Sequence, residues 1–139
     1  MIGSIAFLVA ERIGVEPGTG KLSVINMIDI LEFEKFPVDS CKFVVFALLS
    51  REPSDVPQTS LGIEIAFERD DGYTELPTSA KIKVDVNFKN AFRYGFHREY
   101  DLSGLKMSGT LDVRLKIGDR LLANHKIYVG HLTENVRLN

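Results

Sequence analysis

Every second residue of segment 82–88 is apolar: Ile82, Val84, Val86 and Phe88 alternate with Lys83, Asp85 and Asn87. Successive side chains of a strand leave on opposite faces, so this stripe is what a half-buried strand needs. Segment 63–67 repeats it, with Ile63, Ile65 and Phe67 set against Glu64 and Glu68. Segment 111–117 repeats it again, with Leu111, Val113, Leu115 and Ile117 against Asp112, Arg114 and Lys116. The punctuation between apolar runs fits strands as well. Asp71-Gly72 supplies the positive φ that a tight hairpin favours, and a two-residue loop there pairs Phe67 with Leu76. At Gly118-Asp119-Arg120 a three-residue loop is expected. It pairs Leu115 with Ala123, Leu111 with Ile127 and Asp112 with Lys126, whereas a two-residue loop turns Lys126 toward the core.

Other stretches are strand-like without strict alternation. Residues 4–12 and 21–33 are rich in β-branched and apolar residues and are joined by GVEPGTG. Their content predicts strands, the second bent or bulged, as one strand or two, with a short helix in 21–33 as the alternative. Residues 41–50 are apolar on both faces, as in a central strand covered on both sides. Residues 51–60 read as a loop, and 90–106 as an aromatic strand followed by a polar turn around Ser103-Gly104. About seven or eight short strands at roughly ten-residue spacing predict an all-β fold. The expected form is an antiparallel β-sandwich of immunoglobulin-like architecture, with a small β-barrel as the alternative. One domain is expected over residues 1–139.

Composition changes this picture little. A 139-residue chain, 45% hydrophobic and 26% charged, can build an ordinary core. Its net charge of −2 argues against nucleic-acid binding, which draws most of its affinity from basic side chains. The single cysteine, Cys41, allows no internal disulfide and no Cys-x-x-Cys zinc site. With no signal-like leader and no run long enough to span a bilayer, a cytoplasmic location is expected and a membrane role is not.

GKLSVINMIDILEF, the loop residue Pro37, the run CKFVVFALL, GIEIAFERDDG and the closing GTLDVRLKIGDRLLANHKIYV together resemble small uncharacterised bacterial β-sandwich proteins. In that family a Gly-Lys-Leu-Asn type strand is followed by a proline and a central strand. A glycine is usual after the first strand pair, where this chain has Asn26 or Met27. The resemblance implies an immunoglobulin-like sandwich and no activity.

The residues that carry chemistry mostly read as structural. His125 is expected inward, opposite Val113, with its imidazole bonded to backbone. Asp29, Glu32 and Glu34, and Glu68, Asp70 and Asp71, cluster without the spacing of a calcium loop. Ser103 and Ser108 lack the first glycine of a nucleophile elbow, and no phosphate loop precedes a helix. No metal, cofactor or catalytic residue is therefore expected.

One segment stands apart, Asn90 to Tyr100, in which Phe92, Tyr94 and Phe96 interleave with Arg93, His97 and Arg98. The structural reading is a strand whose aromatics fill the core while Arg93 and Arg98 face water, and three functional readings stand beside it. The first is a non-enzymatic interaction module that binds another protein or itself, a homodimer included, through Phe92, Arg93, Tyr94, Phe96 and Arg98. The second is a small-ligand or enzymatic pocket around His97 and His125. The third is single-stranded nucleic-acid binding over 92–98.

Overall fold

The computed structural model describes residues 1–75 and 81–132. Among them there are ten strands and no helix: β1 (Gly3–Val15), β2 (Leu22–Met27), β3 (Ile30–Phe33), β4 (Cys41–Ser50), β5 (Gln58–Arg69), β6 (Thr74–Glu75), β7 (Lys81–Asn87), β8 (Arg93–Leu102), β9 (Gly109–Ile117) and β10 (Arg120–His131). They form two open sheets. The first has the order β2-β1-β4-β8, and the second β3-β10-β9-β5-β6, with β7 also on β5. This is the two-layer sandwich that the alternation predicts, and no barrel closes. The strand count exceeds the expected seven or eight because segment 21–33 divides and the two-residue β6 adds a short rung.

The alternation sets which side chains face the other sheet. Val9, Phe43, Val45, Ala47 and Leu49 of the first sheet meet Ile63, Ile65, Phe67, Leu111, Val113, Leu115 and Ile127 of the second, all buried. Val84, Val86 and Phe88 join them, while Ile82 packs at the margin. Each large side chain taken out of water contributes roughly 1.5–3 kcal/mol, which explains why this stripe governs the architecture.

Three details correct the sequence expectations. The Asp-Gly hairpin pairs Phe67 with Glu75, so its loop is Asp70-Asp71-Gly72, closed by Arg69 N donating to Tyr73 O at 2.8 Å. Gly72 takes φ 88°, the left-handed position that ends a three-residue loop. The expected partner Leu76 lies outside the described residues. At the other hairpin Ile117 pairs with Arg120, leaving a two-residue Gly118-Asp119 loop. The register then shifts between Leu121 and Ala123, and the shift delivers the anticipated pairs Leu115 with Ala123, Leu111 with Ile127 and Asp112 with Lys126. Burial dictated the pairs, and a bulge at Leu122 reached them where a longer loop was expected. Asp112 gives its carboxylate to Arg114 at 2.8 Å and Asn124 at 3.1 Å instead of to Lys126.

The third correction concerns 21–33. β2 pairs with β1, but β3 crosses to the second sheet and runs parallel to β10, the one parallel pair among the described strands. Asn26, at the end of β2, takes φ 54°. Asn tolerates that conformation better than any β-branched residue does. We expect Asn26→Val to cost about 1–2 kcal/mol in urea unfolding and Asn26→Gly to change stability little. Equal effects of the two would show that the lost Asn26–Glu11 hydrogen bond, 2.8 Å in length, is what matters there.

Candidate functional site

β8 carries the segment singled out by composition, and it forms an open edge of the first sheet. Its residues divide between two faces. Tyr94, Phe96, Tyr100 and Leu102 turn inward, Phe96 joining the core and Tyr94 packing between Phe88 and Phe96. Arg93, Gly95, His97, Glu99 and Asp101 turn outward. Arg98 occupies an inward-facing position opposite Val45, yet it is exposed, its guanidinium reaching back over the Phe96 ring at 5.8 Å. Phe92 is half exposed at the start of the strand, with one ring face covered by the Arg51 guanidinium at 4.9 Å. Arg51 also donates to the Ala91, Lys89 and Asp55 carbonyls, so this arginine fastens the turn before β8. The five residues proposed as one interaction surface therefore do not share a face.

The two imidazoles do not meet either. His97 points outward from the first sheet, whereas His125 belongs to β10 of the second. His125 pairs with Val113, and its Nε2–H donates to the Ile28 carbonyl at 2.7 Å, as anticipated for a half-buried imidazole. A carbonyl can only accept, so Nε2 carries a proton, and the Asp29 carboxylate lies 3.4 Å from the same nitrogen. Asp70 and Asp71 are occupied as turn residues, accepting from Ser108 Oγ at 2.6 Å and from Tyr73 N at 3.1 Å. Among the described residues no three His, Cys, Asp or Glu side chains gather as a metal-binding group, and no helix is long and apolar enough to cross a membrane.

The composition of β8 did not point to the outer face of its neighbours. From the register, the outward positions of β1 and β4 are Ala6, Leu8 and Ala10 beside Leu48, Phe46 and Val44. Ala10, Val44 and Phe46 are buried but stand apart from the core between the sheets. They shield one another sideways, and the Phe46 ring reaches into the space beside Gly95. Among the described residues no third layer of strands covers this face. Among the described strands, the coverage expected on both sides of 41–50 is thus made by the second sheet on one side, with no strand layer on the other.

At one end this sheet forks. The ladder between β1 and β4 stops at Ala10–Val44. Beyond it β1 pairs only with β2, and β4 only with β8. One more step would set Glu11 on the inner face opposite Phe43, and the next would set Arg12 opposite Lys42. A carboxylate facing the core and two like charges side by side both oppose pairing. The strands part there, leaving a cleft of about 510 Å³ lined by Arg12, Lys42, Phe43, His97, Glu99 and Tyr100 among others. Tyr100 is 5% exposed, stacked on Phe43 at 5.6 Å, and its hydroxyl has no hydrogen-bond partner. Burial pushes this phenol up to about 12, so it keeps its proton. Burial, with Asp101 nearby, likewise pushes the Cys41 thiol up to about 11, which makes it a poor nucleophile.

The described molecule is thus an all-β sandwich of immunoglobulin-like architecture with an apolar outer sheet face. The chain belongs to a family of unknown function, DUF6941, whose pattern matches residues 5–130. None of the curated proteins matches it. Among solved structures it is similar to an immunoglobulin-like protein from Pseudomonas aeruginosa, with a TM-score of 0.40 and 18% identity over 93% of this chain and 96% of that one. It is also similar to part of the Pseudomonas fluorescens alkylpurine DNA glycosylase AlkC, bound to DNA containing an abasic site analog, with a TM-score of 0.43 and 8% identity. That match covers 89% of this chain, which spans only 30% of the glycosylase.

Proposed function

We propose that the chain is a non-enzymatic interaction module that pairs with a second copy of itself through the outer face of its first sheet. The observation that carries this reading is the apolar outer stripe of β1 and β4, the half-buried Leu8 and Leu48 beside the buried Val44 and Phe46, with no strand layer described above it. Apolar faces of this kind are where protein surfaces associate. The β8 edge is the competing route, since an open strand can add a strand. Arg98 argues against it, because an inward-pointing charge on an edge strand discourages pairing there. The outward charges of β8 favour a twofold arrangement. Arg93 lies at one end and Asp101 at the other, with His97 midway and level with Phe46. A twofold axis crossing the strands at that level lays each column antiparallel on its copy, with Arg93 over Asp101. A stable pair of this kind buries about 800 Å² on each chain.

Light scattering is expected to give twice the 15.6 kDa chain mass. Arg93→Asp should weaken association at least about tenfold with the thermal midpoint of the separated chain unchanged, and Arg93→Asp with Asp101→Arg should restore it. A monomer at all concentrations, or a double exchange that restores nothing, overturns this reading.

A further inference from the structure

The fork between β1 and β4 holds groups that the sandwich itself leaves unused. Of its acidic residues, Glu11 already accepts from Asn26 Nδ2 at 2.8 Å and Asp101 from Ser40 Oγ at 2.7 Å. Among the described residues Arg12 and Lys42 stand in no ion pair, although they are the two cations that an unbroken ladder would bring side by side. Tyr100 also lines the cleft, and its hydroxyl is buried without a partner. A buried hydroxyl that bonds to nothing forfeits its interaction with water, so native structures retain few such groups. Phe43 and Ile13 add apolar lining to the same cleft. The volume, about 510 Å³, is that of a small-molecule site.

We propose that this fork binds a small organic carboxylate, its anionic end between Arg12 and Lys42 and its apolar body against Phe43 and Tyr100. The anion would screen the like charges that drive the strands apart. A polar atom at the far end would take up the orphaned hydroxyl. Glu99 at the rim disfavours a second negative charge, which selects monoacids over diacids. This site goes beyond self-association and does not depend on it.

The test is titration of the ¹⁵N-labelled full chain with phenylacetate, followed by amide shifts. Shifts at Arg12, Lys42, Phe43 and Tyr100 that saturate in the millimolar range are expected. Phenethylamine, with a similar body and the opposite charge, should bind at least about tenfold more weakly. Lys42→Gln should weaken phenylacetate about fivefold, and Tyr100→Phe should weaken 4-hydroxyphenylacetate, whose far-end hydroxyl can meet the phenol, about fivefold while leaving phenylacetate little changed. Tyr100→Phe should leave the thermal midpoint unchanged or higher, which separates lost binding from lost folding. Equal binding of the amine, shifts scattered away from the fork, or no shift at phenylacetate concentrations on the order of 10 mM overturns the proposal. The same titration on Arg93→Asp reports on the separated chain, so this site and the twofold pairing fail independently.

Discussion

Gly109→Ala is expected to lose at least about 3 kcal/mol in denaturant unfolding, a large share of the roughly 5–15 kcal/mol that holds an ordinary domain folded. Gly109 opens β9 and pairs with Arg69 of β5 on one side and Val129 of β10 on the other. A methyl group placed on it would lie 2.8 Å from the Phe67 ring and 2.9 Å from the Arg69 Cα, and closer still to the Glu68 carbonyl oxygen. Two of these three neighbours are backbone, so no rotamer change makes room. β5 would have to leave β9 at the centre of the second sheet. Phe67→Leu, which removes the one side-chain obstacle, should therefore not rescue the variant. Gly62→Ala is the control: it lies on the same β5 strand with nothing within 4 Å of the added carbon. It should be neutral or slightly stabilising, since alanine restricts the unfolded chain. A Gly109→Ala chain as stable as the parent would show the close approach of these strands to be misplaced.

The second large effect is alkaline. The Cys41 thiol titrates near 9.0 in an unfolded chain but is held at about 11 in the fold, and the Tyr100 phenol is moved from 10.0 to about 12. Above pH 9 the unfolded chain gives up its thiol proton while the folded chain keeps it. The unfolded state then binds fewer protons, and stability falls as pH rises. The Cys41 contribution is lost between pH 9 and 11, and the Tyr100 contribution between 10 and 12. Below pH 9 neither group makes stability depend on pH. Denaturation midpoints should decline from pH 9 upward. Cys41→Ala should flatten the first part of the decline and Tyr100→Phe the later part. In the same experiment native Cys41 should resist iodoacetamide at pH 8 and react once the chain is unfolded. Parallel declines in all three chains would mean that neither group is as enclosed as its surroundings indicate.

What the sequence disclosed depended on range. Ile63, Ile65, Val84, Val86 and Leu111 announce their burial through their immediate neighbours, because alternation is a local consequence of the pleat. His125 could be placed opposite Val113 because a hairpin register needs only the two strands beside one turn. Segment 21–33 was harder. Asn26 breaks the phase of the alternation, and nothing nearby says that the chain beyond it pairs with β10, about a hundred positions away. The outer face of β4 was visible as apolar residues on both sides of 41–50, but such a run reads the same whether or not a layer covers it. The fork was the least legible. Arg12 and Lys42 are unremarkable alone, and their opposition exists only once the β1–β4 register is known. β8 was legible as structure, its aromatics Tyr94, Phe96 and Tyr100 turning to the core while Arg93 and Arg98 stay exposed, but its composition did not say that the residues offered as one interaction surface fall on two faces.

The passage of the chain at Ile28 and Asp29 has a mechanical result. Ile28 N bonds to Val9 O at 2.8 Å in one layer, and Tyr128 N bonds to Asp29 O at 2.9 Å in the other. Two consecutive residues thus rivet the layers together along one margin. Sliding of one layer over the other is opposed there.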